Sequence, residues 1–304
     1  MPSLAARIGL PLALFTLFPG VSSLSAQTFA GLGERAQGMA GAFVAVADDA
    51  SAIYWNPAGL GWPTGAIFDA QIGVGEDRTL ATVALPSLGI SFYRLPIVSP
   101  SAGRQNEGSG KVPIRTFSTL NMGVTVNQTV VNALVIGSTI RVTHGGFEGL
   151  AARTTVDFDG GAIFSASDFR VGLTGRNLLR PEYQSDSGVF ALSRQVRAGV
   201  AYVPRSLPTG VHGPFSVAFD ADLTRTQAPE GERRDAAAGA EYWLAGGKFG
   251  VRSGIRWSTL TGSNVALSGG ATVGLPHSAF VEGHLTKEQD SDNTEWGIGA
   301  RFTF

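Results

Sequence analysis

Residues 296–304 read Trp-Gly-Ile-Gly-Ala-Arg-Phe-Thr-Phe, and the order of these residues decides the fold class. Trp296, Ile298, Ala300, Phe302 and Phe304 alternate with Gly297, Gly299, Arg301 and Thr303. In an extended chain successive side chains point to opposite faces, so the first set makes an apolar face and the second a small or polar one. The rhythm recurs upstream. Leu120, Met122, Val124 and Val126 alternate with Asn121, Gly123 and Thr125, and Phe169, Val171 and Leu173 with Arg170, Gly172 and Thr174. Phe249, Val251 and Ile255 stand against Gly250, Arg252 and Gly254.

Working outward from Phe304 to Ala66, roughly fourteen such segments follow one another, most of about 9–12 residues, separated by Gly, Pro, Asn, Asp and Ser turns. Transmembrane barrel strands need about 9–11 residues, and bacterial single-chain barrels use even strand numbers. The expectation is an all-β fold, a transmembrane antiparallel β-barrel of about 14 strands in the bacterial outer membrane, in contact with outer-membrane lipid. Composition agrees: charged residues make up 15% of the 304 and glycine accounts for 41, against about 25% charged and about 7% glycine in soluble domains. A soluble β-sandwich also alternates, but it presents many Lys and Glu to water; here the polar face is mostly Gly, Ser, Thr and Asn. An aromatic-rich final strand ending in Phe304 is the pattern that the outer-membrane assembly machinery recognises, which makes that machinery an expected partner.

Several function classes are excluded or left without support. A net charge of −1 gives no footprint for nucleic acid. The chain has no cysteine, hence no disulfide, thiolate metal site or cysteine nucleophile. His144, His212, His277 and His284 show no metal-ligand spacing. Residues 103–111, GRQNEGSGK, lack the spacing and context of a phosphate-binding loop. No catalytic residue, metal or cofactor is expected.

Residues 1–26 read as a signal peptide: Arg7 precedes an apolar run from Ile8 to Phe18, broken by Pro19 and Gly20, with small residues through Ala26. The barrel is assigned to 64–304. Residues 27–63 are rich in small side chains and do not alternate. Asp48, Asp49 or Ser51 is placed to cap a short helix that Pro57 ends near Tyr54. Small residues allow close packing in a confined space, so a plug or hatch inside the lumen is expected, with Asp48, Asp49, Trp55, Asn56 and Pro57 as its candidate site residues. Three stretches read as extracellular loops: Pro100 to Pro113, Pro181 to Arg194, and Gln227 to Arg234.

Within that segment the run GERAQGMAGAFVAVADDASAIYWNPAGL, residues 33–60, resembles the N-terminal signature of the FadL superfamily of outer-membrane barrels, most closely its PorV-like branch. LTGRNL at 173–178 and RQVRAGVAY at 194–202 are further points of similarity to PorV-like proteins. The resemblance implies a fourteen-stranded barrel with an N-terminal hatch that moves hydrophobic small molecules across the outer membrane. For the PorV-like branch it implies instead a non-transporting partner in protein secretion, acting on a secreted client protein. The Tyr54-Trp55-Asn56-Pro57 run is more aromatic than in the fatty-acid transporters, and the chain is shorter.

The expected inward face carries Asp157, Asp159, Arg170, Arg176, Arg197, Asp220, Asp222, Glu241, Arg252, Arg256, Glu282 and Arg301. Of these, Arg252, Arg256, Arg301, Asp220 and Asp222 are taken as the lumen charges of a candidate site. Asp48 and Asp49, out of reach of bulk water, are expected to pair with arginines such as Arg252, Arg256 or Arg301.

Overall fold

The computed structural model describes residues 31–61, 68–75, 78–100, 114–185, 188–204, 214–228, 231–260, 264–289 and 294–304. The signal-peptide expectation, the loop 101–113 and residues 62–67 lie outside them. Among the described residues, eighteen strands follow a helical stretch at 34–61. The first seven are β1 (Asp69–Gly75), β2 (Arg78–Leu85), β3 (Leu88–Pro100), β4 (Ile114–Val131), β5 (Leu134–Phe147), β6 (Arg153–Ala166) and β7 (Phe169–Arg176). Then follow β8 (Glu182–Ser185), β9 (Gly188–Ala191), β10 (Gln195–Tyr202), β11 (Phe215–Asp222), β12 (Thr226–Ala228) and β13 (Gly231–Arg233). The chain ends with β14 (Asp235–Leu244), β15 (Phe249–Ser258), β16 (Ala266–Leu275), β17 (Ala279–Glu288) and β18 (Thr294–Thr303).

Fourteen of these form one closed antiparallel barrel, each strand beside its sequence neighbour and β18 returning to β1. Closure leaves no free edge. β8–β9 and β12–β13 are separate two-stranded hairpins. They correct the reading of 181–194 and 227–234 as plain loops. The alternation in 182–185 and 188–191 suffices for a short ladder, but each strand is only four residues long and was obscured by its polar, glycine-bearing surroundings.

The period of two sorts the side chains as expected. Met122 is 59% exposed, Ile140 60% and Leu285 60%, all on the outer wall, whereas Asn121, Arg141 and Glu282 are buried on the inner one. Such an outer surface is stable only against lipid. Among the described residues no helix is long and apolar enough to cross a membrane; the crossing is made by strands, and the protein is an outer-membrane barrel. β2–β3, β4–β5, β6–β7 and β16–β17 are joined by tight turns at the end where the chain enters β1 and leaves β18. His277 and Ser278, with φ of 64° and 55°, make one of these turns, the paired left-handed conformation that matches the strand twist. At the other end β3 to β6 project as long strands of 13, 18, 14 and 14 residues.

Candidate functional site

Residues 31–61 do not join the wall. They form α1 (Glu34–Gly38), α2 (Ala52–Trp55) and a 3-10 turn (Pro57–Gly61), and nearly every residue is buried. Asp49 accepts from the backbone N–H of Ser51 at 2.9 Å, at the start of α2. Pro57 cannot continue the helix, and the Asn56 side chain turns instead to Val44 O at 2.9 Å and Ala162 O at 3.2 Å.

The segment lies against strands on all sides of the ring, and glycine makes this possible. A Cβ at Gly254 would sit 2.3 Å from Met39 C, one at Gly239 2.6 Å from Met39 O, and one at Gly172 2.6 Å from Val44 O. At Gly137 it would meet Pro57 C at 2.4 Å, and at Gly89 the Ile53 side chain at 2.7 Å. These glycines sit on β14, β15, β7, β5 and β3. At Gly254, Gly239, Gly172 and Gly137 any larger residue would displace the backbone of the segment, so this close approach requires glycine there.

Ion pairs fasten the segment to the wall, with Arg35 at their centre. Its Nε donates to Glu241 of β14 at 2.8 Å, and its Nη1 reaches Asp48 at 2.5 Å and Asp49 at 3.1 Å. Burial opposes ionisation of Asp49, yet the Arg35 guanidinium, with Arg301 and the Ser51 hydrogen bond, holds its carboxyl below the ordinary value. Asp220 of β11 accepts the backbone N–H groups of Phe43 and Val44, each at 2.8 Å. Glu34 meets His284 of β17 at 2.7 Å. Trp55 donates its indole N–H to Leu32 O at 2.7 Å and packs edge-on to Phe43 and Tyr54. Arg176 stacks 3.7 Å over the Tyr54 ring, and the Tyr93 hydroxyl accepts from Arg141 at 2.9 Å and Arg176 at 3.3 Å.

The structure therefore brings Asp48, Asp49, Trp55, Asn56, Pro57 and Asp220 into one network, but with other partners than those expected. Asp48 faces Arg35 and, at 3.5 Å, Arg170. Arg252 instead bonds Glu241 at 3.3 Å, Arg256 bonds Glu288 at 3.1 Å, and Arg301 bonds Glu282 at 3.4 Å. Asp222 is held by Arg197 at 3.2 Å and accepts the Asp235 N–H at 2.9 Å. The three arginines expected to take these carboxylates are occupied by carboxylates on the wall itself, so Asp48 and Asp49 pair with Arg35 of the segment, and Asp48 also with Arg170 of β7. Arg35, Glu34, Tyr93 and Arg141 were missed by the sequence reading. For Arg35 the signal was its place inside the 33–60 motif.

A second apolar group lies near the far ends of β4 and β5. Tyr183 and Phe190 of the β8–β9 hairpin and Leu192 just after it pack on Phe117 and Phe147, and the Tyr183 hydroxyl hydrogen-bonds Thr155 at 2.7 Å. Among the described residues no group of three or more His, Asp or Glu side chains is placed to hold a metal ion.

Comparison with solved structures gives the same architecture. The chain is similar to the monoaromatic hydrocarbon channel CymD, with a TM-score of 0.62 and 12% identity over 90% of this chain and 98% of that one. It is similar to the toluene transporter TodX of Pseudomonas putida, with a TM-score of 0.59 and 10% identity over 91% of this chain and 99% of that one. The barrel thus has the fold of these FadL-type channels, in keeping with the motif at 33–60. The comparisons lend no support to the PorV-like branch or to its part in secretion. A family model described as "F plasmid transfer operon, TraF, protein" matches residues 118–222, which run from within β4 to the end of β11. No curated protein matches the chain.

Proposed function

We propose that this barrel is a channel that admits hydrophobic small molecules across the outer membrane, with residues 31–61 as the hatch that governs passage. The observation that carries the reading is the set of contacts that residues 31–61 make with inward residues of the wall, through close glycine approaches and a few ion pairs, within a fold shared with two hydrocarbon channels. Uniform apolar packing would favour one immovable arrangement. Here the apolar core that the segment shares with Leu80, Ala84, Tyr93 and Ala201 of the wall is interspersed with bare glycine surfaces and polar bonds, which the segment can exchange for water when it shifts. The chemistry in the lumen is that of binding and exclusion, and CymD and TodX are described as channel and transporter.

The test is uptake of radiolabelled toluene by cells of an outer-membrane host that make the barrel, compared with cells carrying an empty vector. Uptake should rise several-fold. Equal uptake at matched levels of folded barrel would reject the channel reading.

A further inference from the structure

The outward positions of the fourteen barrel strands are almost free of charge. Among the described residues they carry three ionisable side chains, Arg94 of β3, His144 of β5 and Lys287 of β17, and no outward position is Asp or Glu. Lys287 is next to last in its strand and four strands away from β3 around the ring. Arg94 and His144 stand together. Arg94 opposes Leu120 of β4, and Leu120 opposes His144, so one strand separates them and their backbones are about 10 Å apart. Hydroxyls extend the row on both sides, Thr79 beside Arg94 and Thr154 beside His144. The next outward row toward the tight turns is apolar, with Phe92, Met122, Val142 and Val156 all exposed.

At about 3.3 Å per residue and a tilt of about 40°, Arg94 stands about 15 Å above Leu88 at the β2–β3 turn, and His144 about 25 Å above Leu134 at the β4–β5 turn. The apolar band of an outer-membrane barrel is about 25 Å tall, with its short turns on the periplasmic side. Arg94 therefore leaves the backbone in the extracellular half of the band, and His144 sits at its upper edge. An arginine stem that rises along the apolar wall brings its guanidinium up to the level of the imidazole. A charge that faces lipid is costly unless it meets an opposite one. Among the described residues none bonds to Arg94, and the wall has no outward carboxylate to offer it. The counter-charge must come from the membrane. His144 has its Nδ1 tied to the Thr154 hydroxyl at 2.9 Å, which leaves Nε2 for a group outside the wall. An acceptor oxygen there selects the tautomer in which Nε2 carries the proton and Thr154 donates to Nδ1.

We propose that Arg94 and His144 hold the phosphate of a lipid from the extracellular leaflet, above the seam of β3, β4 and β5. The guanidinium supplies the charge and two parallel N–H bonds, and the imidazole supplies a third donor. The acyl chains of the same lipid lie on Phe92, Met122, Val142 and Val156. A free phosphate would meet exposed side chains in water, where such pairs are worth little. The lipid adds the burial of its chains against the wall, which makes the lipid the occupant. The site is independent of what the barrel admits.

Full-length barrel in a nonionic detergent is titrated with lipid A that bears both phosphates, and with the same lipid after dephosphorylation, and the bound lipid is counted by native mass spectrometry. The wild-type protein should hold the phosphorylated form at least tenfold more tightly. Arg94→Gln should lose at least fivefold of that preference and His144→Gln two- to threefold, while Lys287→Gln, the control on β17, should keep it. Folding of each variant is checked by heat modifiability. Arg94→Lys, which keeps the charge but not the paired bonds, replaces Arg94→Gln if that variant does not fold, and should weaken binding about threefold. Equal binding of the two lipids by the wild-type protein, or an unchanged preference at position 94, overturns the proposal. So does an equal loss in Lys287→Gln, which would make any outward cation sufficient. Displacement of the lipid by a tenfold excess of inorganic phosphate would show a site for a free anion and overturn the lipid as its occupant.

Discussion

Arg35 holds together charges that come from three places in the chain. Its guanidinium is shared among Glu241, Asp48 and Asp49, so its removal strands carboxylates that burial already disfavours. Breaking a buried pair by deleting one partner costs about 3–5 kcal/mol. In the wild-type protein the Asp49 carboxyl is held below its ordinary value of 3.8. Its contribution to docking is therefore fully present above that value and is lost as pH falls through the lower, folded one. In Arg35→Met the same carboxyl has lost its main cation, and burial raises its pKa. The sign then reverses, and docking of residues 31–61 weakens as pH rises. Limited proteolysis of that segment should show wild-type protection unchanged from pH 8 to pH 5. The variant should be cut faster at pH 8 than at pH 5. Identical cleavage of the two proteins at every pH would remove Arg35 from the docking scheme.

At the scale of elements the question is how a helical segment fits within a ring of strands. The answer is a belt of inward glycines, with Gly239 and Gly254 beside Met39, Gly172 beside Val44, and Gly137 beside Pro57. Gly254→Leu places a branched side chain where the Met39 backbone lies, while β15 keeps its ladder with β14 and β16. The barrel should still assemble and remain heat-modifiable, but the segment should become protease-sensitive and single-channel conductance in planar bilayers should increase. Wild-type conductance and protection would show that the contact is not needed. The belt was not legible in the sequence as a docking surface. Alternation at 296–304 can be read because it is local, but the match between Gly254 and Met39 joins residues that the chain keeps far apart. The Arg35–Glu241 bond, across 206 positions, was hidden for the same reason. Inward placement of Asp220, Arg252 and Arg301 followed from the period of two; their choice of partner did not, because each of the three has an opposite charge on a neighbouring strand, Arg197, Glu241 and Glu282.

For the whole molecule the decisive event is closure. β18 pairs with β1 from Thr303↔Asp69 to Gly297↔Gly75, and Phe304 extends the seam with a pair of backbone bonds to Phe68 at 2.9 and 3.1 Å. Their rings lie 6.1 Å apart on the outside of the join. Phe304→Asp would put a charge at a lipid-facing position, so the amount of heat-modifiable barrel in outer-membrane fractions should fall several-fold. Undiminished folded barrel would show that the terminal aromatic does not contribute to assembly. The strand count was legible because outer-wall residues such as Val124, Ile140 and Leu285 repeat at a spacing that lipid imposes on every strand. The β8–β9 and β12–β13 hairpins escaped notice because they lie beyond the bilayer, where no such requirement enforces a pattern.

The span of the luminal bonds has a kinetic meaning. Glu34 meets a histidine 250 positions further along the chain, and residues 43 and 44 meet a carboxylate 177 and 176 positions away. Contacts of such high sequence separation are slow to form. None of the anchoring on β17 is available until the last hairpin of the wall has been made. Contacts of that span place the final docking of residues 31–61 late, after the strands that hold them have formed.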